Sequence, residues 1–373
     1  MGRLSAFLFL IAACGDNMAG LEAPDPLHAA LDPSGLLTEQ PTARLTPTVC
    51  GVAEWSVPAG ADRSLDMSVA SAHGIASIVA VPQAGGAMTG FSFDSRMDVV
   101  TDPLATKLPI DGTLSKVSAS MVDDRLLTAT ADGNAVRVHL FDEFLQNPQQ
   151  LAKLDATTFS KPAFMTANST PVIVTGGVNG LSMTSFSANF EIGETKLIAP
   201  SAPVTALATA QYGGAVLAAW STSSNDCYVA DVASFVSGSA SHTNMPCAHP
   251  RLAGDIANNA ASLVFEQDGT LRLMHISHLQ MGGVSSLLRP DAHSPRIVFD
   301  GARYWVSYID ARGGIVVGFL DHGSHFTSMA LIGPAPADEA YELALVEGRV
   351  TVVALDVQGN YTAHQMCAVA AAE

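Results

Sequence analysis

Charge is scarce in this sequence: 14% of its 373 residues are Asp, Glu, Lys or Arg, against about 25% in ordinary soluble domains. Positive charge is scarcer still, with 18 Lys and Arg set against 35 Asp and Glu, a formal net charge of −17. That balance argues against nucleic acid and anionic membrane surfaces as partners, because both reward basic patches. A bilayer-spanning run is missing too. The N-terminal apolar stretch, Leu4 to Ala13, has ten residues, about half of the roughly 20 that a spanning helix needs. Helical periodicity of 3.6 residues is not found, which excludes a helical solenoid. Also missing are the Gly-x-Ser-x-Gly nucleophile elbow, the phosphate-cradling Gly-x-x-x-x-Gly-Lys loop, the zincin His-Glu-x-x-His and the EF-hand calcium loop. No catalytic residue, metal site or cofactor is therefore assigned from sequence.

What is present begins with a leader. Arg3 precedes the apolar run, which ends in Ile11, Ala12, Ala13 and Cys14. A short run behind a basic start has the form of a signal peptide, residues 1–13, and stands outside the fold. The end of the run resembles the bacterial lipobox, a branched apolar residue and two small residues ahead of a cysteine. The resemblance implies cleavage before Cys14, with that residue lipidated as the first of the mature chain and anchored stably through several acyl chains. The alternative is an ordinary signal peptide with Cys14 incidental. Gly15 follows where an aspartate would mark inner-membrane retention, so the resemblance implies the outer membrane or cell surface. Pro24, Pro26, Pro33, Pro41 and Pro47 then punctuate a segment read as a flexible tether over residues 14–47.

The remaining body, 48–373, is periodic. Two-residue turn pairs stand at Gly85-Gly86, Asp132-Gly133, Asn179-Gly180, Asn225-Asp226, Asp268-Gly269, Gly313-Gly314 and Gly359-Asn360, their second residues spaced by 47, 47, 46, 43, 45 and 46. These residue types accept the positive φ of tight hairpin turns. Ahead of each pair lies a continuous apolar run such as LLTATA, PVIVTG or YWVSYI, as expected of strands covered on both faces. Behind it lies a more alternating run such as AVRVHLF or LRLMHIS. Shorter runs closed by polar turns (Asp123-Asp124, Gly301, Glu347-Gly348) complete a unit of four antiparallel strands.

A four-stranded unit recurring about every 45 residues resembles the β-propeller class, with WD40-like unit length but no Trp-Asp dipeptide. The run SPRIVFDGARYWVSYIDARGGIVVGFLDHG is similar to repeats in bacterial extracellular lipoproteins. The expected fold is all-β: a seven-bladed propeller with four-stranded antiparallel blades. Only one strand follows the last turn pair, so the strand-like run Thr48–Val57 is expected to fill the last blade and close the ring.

Five cysteines are present, and setting Cys14 aside leaves an even number in an exported chain. Cys227 opens the third strand of blade 4 and Cys247 is expected to end the fourth. Cys50 is early in the N-terminal strand and Cys367 late in the strand beside it. The blade arrangement thus pairs Cys50 with Cys367 and Cys227 with Cys247, the alternative being free buried thiols.

Other candidates carry less. His275 and His278 are three apart in a strand and point to opposite faces. His322 and His325 bracket Gly323-Ser324 in an expected loop with Asp321 beside them and could hold zinc, the commoner alternative being solvated loop histidines. Asp310 with Arg312, Asp123 with Asp124, and Asp338 with Glu339 stand at predicted turns, and Trp55, Trp220 and Trp305 read as blade packing. The sialidase Asp-box is absent. The expected function is a non-enzymatic binding or scaffold module for protein or glycan, held to the membrane through Cys14. Its rivals are a carbohydrate hydrolase or lyase with carboxylates in the central funnel, and a structural subunit of an envelope assembly complex.

Overall fold

The structure, a computed structural model, describes residues 45–370 apart from 57–64, 83–86, 102–103, 108–115, 123–124, 143–144, 146–147, 156–159, 168–169, 213–214, 225, 233–239, 244–245, 278–279, 282–285, 321–325, 331–335 and 357–359. The leader, Cys14 and the tether as far as residue 44 lie outside the described residues.

Strands are paired antiparallel into seven sheets. The first strands of the blades are Leu65–Ala72, Lys116–Val122, Ala163–Ala167, Val204–Tyr212, Ala248–Asp255, His293–Phe299 and Pro336–Val346. Each touches the first strand of the next blade, and Pro336–Val346 touches Leu65–Ala72, so the sheets form a closed ring around these seven inner strands. Blade 5 departs from a plain four-strand count: two short pieces, Gln280–Met281 and Ser286–Pro290, both pair with its third strand.

The second and third strands are deeply covered, as in blade 2, where every residue of Arg125–Ala131 after Arg125 and every residue of Ala135–Phe141 is buried. Sheets of this kind are apolar on both faces because each face meets a neighbouring blade. Every seam has its own apolar cluster. Ile78, Phe91 and Phe93 of blade 1 meet Val353 and Tyr361 of blade 7, and Leu127 and Val138 of blade 2 meet Ile173 and Phe186 of blade 3. Trp220 packs in the seam between blades 3 and 4, Trp305 in that between blades 6 and 7. Trp55 is partly buried and sets its ring edge-on to Phe91 at 5.2 Å.

The closing strand is Leu45–Ser56, paired antiparallel with Asn360–Ala370. It starts at Leu45, so residues 45–47, expected in the tether, are strand. Its register slips between Val49 and Gly51, leaving Cys50 as the extra residue of a bulge, and Cys50 is bonded to Cys367 with Cα atoms 5.9 Å apart. The second disulfide joins Cys227 to Cys247, 5.4 Å apart. Cys247 stands directly before the inner strand Ala248–Asp255 of blade 5, not at the end of the fourth strand of blade 4, Ser241–Thr243. The bond therefore ties blade 4 to the start of blade 5. Asp338 and Glu339, placed in a turn by their charge, are part of the inner strand Pro336–Val346: tertiary pairing overrides local polarity there.

Candidate functional site

The innermost strand of a propeller faces its neighbours across the axis, so whatever side chains it turns inward meet those of other blades. All seven inner strands run from the same end of the ring, since each is followed by an antiparallel second strand in the same order around it. At this end lies a cavity of about 230 Å³, lined by Asp66 of blade 1, Lys116 of blade 2, Lys161 just ahead of blade 3, Thr205 of blade 4, Arg251 of blade 5 and Arg296 of blade 6, with Tyr341 of blade 7.

Ion pairs tie opposite sides of the channel together. The Lys161 ammonium lies 3.5 Å from Asp66 Oδ1 and 3.4 Å from Glu342 Oε1, and donates to the Met67 carbonyl at 2.7 Å. Glu342 also pairs with Arg296, whose Nε lies 3.0 Å from Oε2. Asp66 Oδ2 accepts the Val117 amide at 2.6 Å. The Arg296 guanidinium lies over the Tyr341 ring, 4.7 Å from its centroid, and the Tyr341 hydroxyl donates to the Ser294 carbonyl at 2.5 Å.

Backbone irregularities aim the two arginines. In blade 5 the pairing slips between Ala248 and Arg251, and in blade 6 between His293 and Arg296. Both slips carry the same tripeptide form, His249-Pro250-Arg251 and Ser294-Pro295-Arg296. The residue before each proline takes positive φ, 47° at His249 and 54° at Ser294. A bulge bends its strand and redirects the following side chain, and proline, lacking an amide hydrogen, suits a position out of the ladder. Glu266 fastens the two bulges: its Oε1 lies 2.9 Å from His249 Nδ1 and accepts the Ser294 amide at 2.6 Å. Burial opposes ionisation of Glu266, but the His249 hydrogen bond and charge, with the Ser294 amide, outweigh it and hold the carboxyl below its ordinary value.

The electrostatics of the cavity run against the acidic balance of the chain. Four cations (Lys116, Lys161, Arg251 and Arg296) face two carboxylates, Asp66 and Glu342. Burial raises the cost of ionising Glu342, yet Arg296, Lys161 and Arg251 together hold its carboxyl below the usual range. Burial lowers Arg251 to about 10, with the neighbouring Arg296 charge adding to the effect. Burial likewise holds Lys116 below its ordinary value, reinforced by Lys161 and Arg251 against Asp66.

None of these cavity residues stood out in the sequence. The available signal was the repeated X-Pro-Arg, one unit apart at the start of two inner strands. Of the residues that did stand out, His275 lies outside the cavity and hydrogen-bonds Ser262 at 2.9 Å. His278, Asp321, His322, His325, Asp123 and Asp124 lie outside the described residues. Asp310 caps its own turn, its Oδ1 accepting the Arg312 and Gly314 amides, each at 2.9 Å. Among the described residues no three His, Cys, Asp or Glu side chains are grouped to hold a metal ion, and no helix is long and apolar enough to cross a membrane.

Comparison with known proteins bears on the fold alone. No family model matches the chain, and no curated protein matches it. Among solved structures it is similar to BBS1N in complex with ARL6DN, in a mercury-soaked crystal: 9% identity, TM-score 0.57, covering 86% of this chain and 97% of that one. The lead-soaked crystal of the same complex gives 8% identity and TM-score 0.58 over the same shares. At such identity the likeness supports the propeller fold alone, and the strand pairing shows its detail: an all-β ring of seven antiparallel blades, completed by the strand Leu45–Ser56.

Proposed function

We propose that this chain is a non-enzymatic binding module, carried on a lipid anchor at Cys14 to the outer membrane or cell surface of a bacterium, and that its propeller docks a protein or glycan at the end where the inner strands begin. The observation that carries the reading is the convergence of charged side chains from six blades on one cavity at a single end of a closed ring. A ring whose seams are all packed is a rigid platform, and rigid presentation of a few polar groups is what recognition requires. A propeller of similar build, BBS1N, is crystallised in complex with ARL6DN, which is consistent with a protein partner for the fold.

The same cavity argues against the hydrolase reading. Glycoside cleavage needs one carboxylic acid held protonated near neutral pH beside a second carboxylate. Glu342 is instead held ionised by Arg296 and Lys161, and Asp66 is engaged by Lys161 and the Val117 amide. The anchor and the address rest on the lipobox-like Ile11-Ala12-Ala13-Cys14 alone.

Glycan-array binding and affinity capture from detergent-solubilised envelope, each with the full chain and with a Lys116→Glu, Arg251→Glu variant, test the module. Specific capture lost in the variant supports it. Turnover of a polysaccharide, abolished by Asp66→Asn or Glu342→Gln, would establish the hydrolase instead. Detergent phase partitioning of the wild type against Cys14→Ser tests the anchor, and unchanged partitioning would remove it.

A further inference from the structure

We propose that the cavity at the inner-strand end binds a small dianionic oxyanion, a phosphate or a dicarboxylate, with Arg251 as its principal ligand. The inference rests on the binding-module reading and names the chemistry that its cavity takes.

Charge count is the first ground. Lys116, Lys161, Arg251 and Arg296 line the cavity with one carboxylate, Asp66, while Glu342 and Glu266 stand just outside the lining, in a protein whose net charge is −17. Acidic surroundings give these cations no general reason to gather, since isolated basic residues in such a chain are most cheaply placed in water.

Arg251 is the second. Lys161 and Arg296 spend their charge on Asp66 and Glu342. Arg251 feels both carboxylates only at a distance: its guanidinium donates to the Pro250 carbonyl at 3.1 Å, and among the described residues no carboxylate is in ion-pair contact with it. A half-buried guanidinium beside another guanidinium is unfavourable unless a counter-charge completes the site. Burial, and after it the Arg296 charge, lower Arg251 to about 10 against the pull of Glu342 and Asp66.

Construction is the third. Two successive blades carry a bulge, a positive-φ residue and a proline in order to direct an arginine, and Glu266 fastens both. Positive φ in a non-glycine residue is unfavourable, and of the residues that adopt it only His249 and Ser294 are each followed by Pro-Arg at a bulge among the described residues. Planar guanidinium forks match the paired oxygens of phosphate and carboxylate. A cavity of about 230 Å³ admits a small ligand of this kind and is below the usual size for drug-like molecules.

The test is calorimetric titration of the full chain with inorganic phosphate and, separately, with succinate, in sodium chloride at matched ionic strength. The proposal expects saturable binding of at least one of the two, weakened about tenfold or more by Arg251→Gln and unchanged by Arg312→Gln, an exposed turn arginine elsewhere. Which anion binds distinguishes the tetrahedral from the dicarboxylate source. Arg251 is in no ion pair among the described residues, so Arg251→Gln is expected to keep the wild-type near-UV circular dichroism. Should that variant lose its fold, Arg251→Lys is the second arm: it keeps the charge, removes the fork and is expected to bind several-fold more weakly. No saturable binding of either anion, or binding indifferent to Arg251→Gln, overturns the anion site. If the full chain still captures a protein or glycan in that event, the module reading stands without it.

Discussion

Glu342 carries more of the cavity's electrostatic order than any other side chain. It sits between Arg296 and Lys161 with 18% of its side chain exposed, and removing it leaves two cations facing each other. Uncompensated buried charge costs about 3–5 kcal/mol, and partial exposure screens it, so Glu342→Gln is expected to lower stability by about 2 kcal/mol at pH 7 in urea unfolding. The sign of the pH dependence follows from the lowered carboxyl. Its contribution is complete above the unfolded value of 4.5 and is lost as pH falls through the folded value, so the gap between wild type and variant should close in acid. His139 reaches the same sign of pH dependence by a different route, through a neutral form that burial favours. It is 4% exposed, and burial, helped by the Arg137 charge, pushes it down to about 4 from 6.5. Between those values the unfolded chain binds a proton that the folded chain refuses. Stability is thus intact above about pH 6.5 and falls by up to about 3 kcal/mol as pH drops to about 4. Thermal melts across this window should show the slope, and His139→Gln should flatten it. Neither role was legible in the sequence, because both depend on neighbours that other strands deliver.

At the scale of elements, legibility followed period. The second and third strands announced themselves because burial between blades makes them apolar and because a two-residue turn needs special φ. Asp268 at φ 51° and Gly269 at 72° are the turn chemistry read off directly. The inner strands were harder. Their mouths carry charge, so Asp338 and Glu339 read as a turn although they extend the inner strand of blade 7. The bulges that aim Arg251 and Arg296 break the alternation that would have marked those strands. Cys247 was displaced by one connection for a related reason: the outer strand of blade 4 is only Ser241–Thr243, too short to show a period. Two glycines separate turn chemistry from packing. A Cβ at Gly269 meets nothing within 4 Å, whereas one at Gly254, on the inner strand of blade 5, would fall 1.8 Å from the Gln211 carbonyl oxygen of blade 4. Gly269→Ala should therefore cost about 1 kcal/mol through its backbone. Gly254→Ala should cost about 3 kcal/mol by forcing two inner strands apart. Denaturant melts of the two variants would reveal a reversed order if the ring were looser than its seams indicate.

Residues 45–370 form a closed ring, and its closure depends on one strand pairing between Leu45–Ser56 and Asn360–Ala370. Six seams join blades that follow one another along the chain, but blade 7 is completed by Leu45–Ser56 from the other end. The count of blades and the closing strand could be read from sequence because the last turn pair is followed by one strand only, a deficit that a ring cannot leave exposed. Closure brings together residues 317 apart in sequence at Cys50–Cys367, against 20 at Cys227–Cys247. In the chain-entropy account the first bond restrains the unfolded chain by about 5–6 kcal/mol and the second by about 3, both upper-range figures. The two losses should also differ in place. Without Cys50–Cys367 the closing strand still has its backbone ladder and the contacts of Trp55 with Phe91 and Phe93, so the ring should form but open at its seam. Hydrogen exchange in Cys50→Ser, Cys367→Ser should then quicken over 45–56 and 360–370 and leave blades 3 to 5 near wild type. In Cys227→Ser, Cys247→Ser the quickening should be confined to the third strand of blade 4 and the start of blade 5. Equal acceleration around the entire ring in the first variant would mean that the seam is no weaker than the joints between successive blades, and that closure is maintained by the packed clusters alone.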